Sequence, residues 1–315
     1  MIRIGVDLGG TKIEALALDD GGREWQPRRV PTPAGGYDTV IAAVRDLVLA
    51  VEQEIGQPGS VGIGTPGSSS PVTGRLRNSN SLALNDRPFA ADIGAALERE
   101  VRIANDADCF ALSEASDGAG TGYGVVFGAI LGTGVGGGIV VGQRLWTGRN
   151  GVAGEWGHNA MPRRDSDESN GDDRPARRCW CGRFGCIEAY VSGPALAAEH
   201  AGRGGGELDA AAIAALAASG EPQAVRTMAR FHERLARALA SVVNLLDPDV
   251  IVLGGGLSNI DALYERVPAL MAPHVFSDRL ATPVLRARHG DSSGVRGAAW
   301  LWPPAPPARP GRRAA

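Results

Sequence analysis

Near the N-terminus two short apolar runs flank a turn built of glycine and threonine, and the arrangement returns in the middle of the chain. Residues 2–6 and 13–18 are joined through Asp7-Leu8-Gly9-Gly10-Thr11-Lys12; residues 124–131 and 138–141 are joined through Gly132-Thr133-Gly134. Each set reads as two strands linked by a tight turn. A third run lies near residues 25–30. Residues 37–54 then carry Val40, Ile41, Val44, Leu47, Val48 and Val51 at helical spacing. Residues 61–64 read as a strand, 89–98 as a helix, 101–104 as a strand and 106–115 as a helix. Residues 225–246 form a long amphipathic helix stopped by Asp247-Pro248-Asp249, which feeds a strand over 250–253. A last short helix over 294–302 ends at Pro303. Strands alternating with helices, opened twice by one motif, imply an α/β protein of two related lobes.

Length and charge bound the function. At 315 residues and 43% hydrophobic content the chain can build two cores. A formal net charge of -3 lacks the basic surplus of a general nucleic-acid binder. No run of about eighteen apolar residues is present to span a membrane, and the first residues read as a strand rather than a signal peptide. A cytoplasmic protein is expected. Two segments are expected to lie outside the cores: a charged loop over 163–178 and a disordered Pro/Arg tail over 303–315.

Three glycine sites follow strands: Gly9-Gly10-Thr11, Gly132-Thr133-Gly134 and Gly254-Gly255-Gly256. Glycine lets a backbone approach a phosphate, and successive N–H groups make an anion cradle. No P-loop pattern is present, and none of the three makes a dinucleotide fingerprint. Together they point to nucleotide binding. Asp7, at the end of the first strand, is placed to hold Mg²⁺ directly or through water; stabilising the turn is the alternative role. Asn105-Asp106 stands where a strand passes into a helix, so the helix dipole favours an ionised Asp106. A plain N-cap is the competing reading there.

Gly154-Glu155-Trp156-Gly157-His158 precedes Cys179-Trp180-Cys181-Gly182-Arg183-Phe184-Gly185-Cys186-Ile187-Glu188. One histidine and three cysteines are a tetrahedral set for structural zinc, His158, Cys179, Cys181 and Cys186 being its ligands. Three of the four cysteines crowd into this knuckle, which fits metal ligation in a reducing compartment better than disulfides. The metal would staple two segments and fix Glu155 and Glu188 beside a shared pocket.

In their order along the chain, the Asp7–Lys12 turn, Asn105-Asp106, Leu131-Gly132-Thr133-Gly134-Val135-Gly136-Gly137-Gly138, the Gly154–His158 run and the knuckle resemble the ROK-family sugar kinases, from residue 4 to about 302. The likeness is strongest to the bacterial ROK fructokinases, or manno(fructo)kinases. It extends to Gly67-Ser68, Ser70-Pro71, residues 78–85 and the run His289-Gly290-Asp291-Ser292-Ser293-Gly294-Val295-Arg296-Gly297-Ala298-Ala299-Trp300. The resemblance implies an actin-like, hexokinase-type (ribonuclease H-like) fold of two lobes, with ATP and sugar in the cleft between them. It implies a first lobe of residues 1–117 plus about 290–302, and a second of 118–289 carrying the knuckle at 179–186.

By position, the resemblance makes Asp106 the catalytic base. Asn80, Asn105, Glu155, His158 and Glu188, with Asp106, would bind the sugar hydroxyls. Gly9, Gly10, Thr11, Lys12, Gly132, Thr133 and Gly134 would line the phosphates of ATP, and Gly254, Gly255 and Gly256 would lie near the adenosine. It also implies Mg²⁺ as cofactor and a homodimer. Leu82-Ala83-Leu84 stands where several relatives carry a tryptophan, which alters the expected pocket edge. Fructose, phosphorylated on its 6-hydroxyl, is the expected substrate; mannose, glucose and N-acetylglucosamine kinases share the same motifs. Family regulators carry a helix-turn-helix domain before the kinase body, and with Asp7 so near the start no room for one is expected. A sugar-binding protein without turnover is the other rival, and Asp106 with three glycine sites speaks against it.

Overall fold

The computed structural model describes residues 1–79, 81–162 and 176–303. Asn80, most of the loop expected over 163–178 and the tail from 304 onward lie outside them. The chain divides into two compact units, Met1–Asp106 with Val295–Ala315, and Ala107–Gly294.

In the first unit the strands are β1 (Arg3–Leu8), β2 (Lys12–Leu18) and β3 (Arg28–Pro31), followed by helix α1 (Tyr37–Ile55) and β4 (Ser60–Thr65). A small ribbon, β5 (Ser68–Ser69) and β6 (Leu76–Arg77), precedes α2 (Phe89–Leu97) and β7 (Val101–Asn105). The sheet order is β3-β2-β1-β4-β7. β1 pairs antiparallel with β2 and parallel with β4, which pairs parallel with β7. Helix α1 buries Val40, Val44, Leu47, Val48 and Val51, a stripe of spacings three and four that faces the core. Gly56 ends it in the left-handed conformation (φ 78°), donating its N–H to the Glu52 carbonyl at 2.8 Å.

Helix α3 (Asp106–Asp117) opens the second unit. β8 (Val125–Leu131), β9 (Val135–Val141) and β10 (Arg144–Leu145) come next. Helices α4 (Glu188–Val191), α5 (Gly193–Ala201), α6 (Ala210–Ala218) and α7 (Pro222–Leu246) follow, then β11 (Val250–Gly254), α8 (Ala262–Met271) and β12 (Val284–Arg286). Its sheet order, β10-β9-β8-β11-β12, repeats that of the first unit: an antiparallel hairpin side and two parallel neighbours. The α/β class and the repeated motif read from the sequence thus correspond to one topology used twice. Helix α7 starts on Glu221, whose carboxylate accepts from the N–H groups of Gln223 and Ala224, with Pro222 in the first turn. It ends at Asp247 in the left-handed conformation.

Each sheet carries a helix at unusually short range. In the first unit α9 (Ser293–Trp300) lies over Gly5 and Gly62, where an added Cβ would stand 2.0 Å from the Val295 carbonyl oxygen and 1.9 Å from that of Ala298. In the second, Ala107 and Ala111 of α3 lie over Gly128 and Gly138, with Cβ approaches of 2.7–2.8 Å. That seating is why α3 groups with the second unit, although the expected boundary ran to residue 117. No described helix is long and apolar enough to cross a membrane.

Candidate functional site

In the first unit the parallel strands β1, β4 and β7 end at one edge, bringing Asp7, Thr65, Asn105 and Asp106 to the side where α/β sheets hold ligands. The Asp7–Lys12 turn is closed by the Gly9 N–H on the Lys12 carbonyl (3.0 Å), and the Thr32 hydroxyl donates to the Gly9 carbonyl (2.8 Å). Gly10 faces open space. Burial, then the nearby carboxylates of Asp106 and Glu14, raise Asp7 to about 6. Asn105 donates its side-chain amide to the Gly67 carbonyl (3.0 Å), and Asp106 is exposed as the first residue of α3. Sequence reasoning missed Glu14. It sits directly across from Asp7 in the β1–β2 register and is 1% exposed, and it accepts from Arg29 Nε at 2.9 Å and Lys12 Nζ at 3.4 Å.

The second unit contains a cavity of about 890 Å³. Gly132 and Thr133 after β8 and Gly256 after β11 form one part of its wall; α5, α6, α7, α8 and the turns leading into α6 and α8 supply the remainder, largely alanine with Val225, Met228 and Ile260. Gly132 donates to the Gly134 carbonyl (3.0 Å) and accepts from Gly193 at the start of α5 (2.8 Å). Gly132 and Gly256 face open space, as Gly10 does. The other glycines singled out with them have packing reasons. A Cβ on Gly254 would strike Phe110, one on Gly134 would meet the Glu188 carboxylate, and Gly255 (φ 80°) lies against the Leu131 backbone. The cavity also takes in His232 and Arg266, neither of which the sequence singled out.

The knuckle is assembled as the spacing implied. One ligand atom from each of His158, Cys179, Cys181 and Cys186 lies within 4.8 Å of all the others. Cys181 Sγ and Cys186 Sγ are 3.7 Å apart, and His158 Nδ1 stands 3.7 Å from Cys179 Sγ. Zinc–ligand bonds of ordinary length imply tetrahedral edges of about 3.8 Å between thiolates and about 3.5 Å from thiolate to imidazole. The set therefore fits zinc. Burial pushes the Cys179 thiol up to about 12 in the absence of metal, and a bound cation would deprotonate it outright. With Nδ1 facing the cluster, Nε2 is the nitrogen His158 has left for a hydroxyl. Trp180, 71% exposed, packs edge-on against the His158 ring.

Glu188 opens α4 and is buried; one oxygen accepts from the Val135 N–H (2.9 Å) and the other lies 3.6 Å from Cys179 Sγ. Glu155 is exposed just before the 3-10 turn Trp156–His158. Behind the knuckle, Arg177 donates to the Ala189 carbonyl (3.1 Å) and pairs with the buried Glu199. Arg203, Arg230 and Arg234 pair with the same carboxylate. Burial alone would raise Glu199, yet these guanidinium groups, Arg234 foremost, hold it at about 2.

The sequence profile of the ROK family matches residues 3–305. The N-acetyl-D-glucosamine kinase of Pectobacterium atrosepticum is 43% identical over 298 residues, 94% of this chain and 97% of its own length. The crystal structure of a ROK hexokinase from Thermus thermophilus superposes with a TM-score of 0.84 at 33% identity, covering 96% of this chain and 97% of the other. A ROK family glucokinase from Streptomyces griseus, solved in complex with glucose and AMPPNP, gives 0.74 at 29% identity, covering 96% and 99%. With a family match over nearly its whole length and these relatives beside it, the chain belongs to the ROK family.

Proposed function

We propose that the chain is an ATP-dependent hexose kinase that transfers the γ-phosphate of ATP to the 6-hydroxyl of D-fructose, with Asp106 as general base. The observation that carries the kinase reading is the cavity of about 890 Å³ walled by Gly132, Thr133 and Gly256, because two phosphate-type turns meet there on one apolar chamber of nucleoside size. The structural relatives named as a hexokinase and a glucokinase support it.

In this reading the sugar oxygen attacks the γ-phosphorus, the bond to the β–γ bridging oxygen breaks, ADP leaves and the hydroxyl proton passes to Asp106. The transition state is loose, so a carboxylate of ordinary basicity serves if it lies within hydrogen-bond reach. Asn80, Asn105, Glu155, His158 and Glu188 hold the sugar hydroxyls, His158 as an Nε2–H donor while Nδ1 faces the cysteines. The backbone at Gly9–Lys12 and Gly132–Gly134 takes phosphate oxygens. Mg²⁺, when bound, would neutralise phosphate charge; Asp7 is the residue suited to hold it, a partly buried carboxylate crowded by Asp106 and Glu14.

Fructose rests on the likeness of residues 67–71, 78–85 and 289–300 to ROK fructokinases. A second reading, N-acetylglucosamine, is favoured by the 43% identical relative. A coupled ADP-release assay with Mg-ATP decides between them, with fructose, mannose, glucose and N-acetylglucosamine side by side. The highest kcat/KM is expected for fructose, and Asp106→Asn should lower kcat about 10²-fold or more with the fold intact. A preference for N-acetylglucosamine replaces the substrate; near-native turnover of the variant removes Asp106 from its role.

A further inference from the structure

Three strands of the first unit line up charged side chains in one row. Asp7 on β1 stands opposite Glu14 on β2, and Glu14 stands opposite Arg29 on β3. Directly opposed residues share a face of the sheet, and Lys12, two residues from Glu14, shares it too. The row therefore runs carboxylate, carboxylate, guanidinium, with an ammonium beside its middle member. Of the four, only Glu14 is buried; the Lys12 and Arg29 side chains are about half exposed. Both cations meet a single oxygen, Oε2, Arg29 Nε at 2.9 Å and Lys12 Nζ at 3.4 Å. The other oxygen is buried with no hydrogen-bond partner among the described residues. A carboxylate shut away on those terms costs stability that an apolar side chain of similar volume would not. Its charge also falls on Asp7, which it helps to raise while Lys12 lowers it. Glu14 is thus a burden on the fold that fixes a lysine at the Gly9–Lys12 turn.

We propose that Glu14 is a positioning residue for phosphoryl transfer, holding the Lys12 ammonium ready for the phosphates of ATP while Arg29 secures the carboxylate from the other side. This rests on the kinase reading and on Lys12 as a phosphate contact, so its test separates the three. An untethered lysine swings on a flexible stem, and immobilising it against a phosphate costs rotamer entropy. Held by Glu14, Lys12 has lost much of that freedom before ATP arrives. Arg29, the closer partner, stays with Glu14 when Lys12 turns to the phosphate, so the buried carboxylate is never left alone.

The test is steady-state kinetics of the full chain with ATP varied, saturated with whichever hexose the wild type uses best. Lys12→Met should lower kcat/KM for ATP about a hundredfold, the loss of one charge-assisted contact. Glu14→Met should lower it about tenfold and leave KM for the hexose unchanged, since only the readiness of Lys12 is lost. The double variant should be no worse than Lys12→Met alone, because Glu14 acts through the lysine. In urea, Glu14→Met should unfold at the wild-type midpoint or above it, since the two half-exposed cations left behind turn to water. Glu14→Gln, close to isosteric, gives the same kinetic reading should the methionine variant fold poorly. A folded Glu14 variant with native kcat/KM for ATP overturns the inference. So do losses that multiply in the double variant, which would mean that Glu14 merely supports the sheet. Native ATP kinetics in Lys12→Met removes the lysine from the phosphates, and the inference falls while the kinase reading stands. A wild type that phosphorylates none of fructose, mannose, glucose and N-acetylglucosamine ends the kinase reading and the inference together.

Discussion

At the scale of single residues, the most consequential carboxylate beside Asp106 is Asp7. Its carboxyl is raised from an ordinary value of 3.8 to about 6, chiefly by burial and then by Asp106 and Glu14. A raised folded-state pKa favours the folded protein fully below the unfolded value, and that contribution is lost as pH rises through the folded one. The window is therefore about pH 4 to 6, and the ionised, metal-free Asp7 costs about 3 kcal/mol above it. Asp7→Asn should accordingly be more resistant to urea than wild type at pH 8 in chelator, with the difference disappearing by pH 4. An equal difference at both pH values would mean that the cause is not ionisation. Asp7 was legible in the sequence because it ends an apolar run at a glycine turn. Glu14 was not. A polar residue within Lys12-Ile13-Glu14-Ala15-Leu16 reads as the solvent face of a strand, whereas β2 is buried on both faces from Ile13 to Leu18.

At the scale of elements, the knuckle has little regular structure to hold it. The bridges Ala160 to Cys186 and Arg178 to Phe184 are short, so a bound metal together with the Arg177–Glu199 pair would carry the segment. Structural zinc contributes on the order of 10 kcal/mol to domains folded around it. Wild-type protein should thus contain about one zinc per chain by elemental analysis. Cys181→Ala should lose it and show faster amide exchange across residues 176–188, with Glu188 released from Val135. Retention of stoichiometric zinc by the variant would exclude Cys181 as a ligand. That His158, Cys179, Cys181 and Cys186 come together could be read from residue type and spacing alone. The Arg177–Glu199 ion pair could not, since nothing in the sequence tells which of many arginines a buried carboxylate will gather. The helices α5, α6 and α8 were missed for a related reason. α6 is nearly all alanine and has no apolar stripe to reveal its period, though its small side chains are what leave room for the cavity.

For the whole molecule, the repeated strand–turn–strand motif was a fair guide because hairpin geometry is local. The parallel partners β4, β7, β11 and β12 depend on crossovers, and only the observed order reveals that both sheets follow one plan. Gly137 and Gly138 entered the sequence reading only as part of the run that carries the family resemblance; Gly138 clears space for α3, and Gly137 for Trp156. The corresponding floor in the first unit, Gly5 and Gly62 beneath α9, has a genetic reading. All glycine codons begin with the same two bases, so every single-base missense change adds a β-carbon. At these two positions that carbon falls about 2 Å from a helix carbonyl oxygen, a distance neither backbone can relieve without lifting the helix. A saturation library sorted by a folding reporter should therefore return residues 5 and 62 with no tolerated substitution, alanine included. The exposed turn residue Gly10, whose Cβ would point into open space, should accept alanine in the same sort and lose only nucleotide binding.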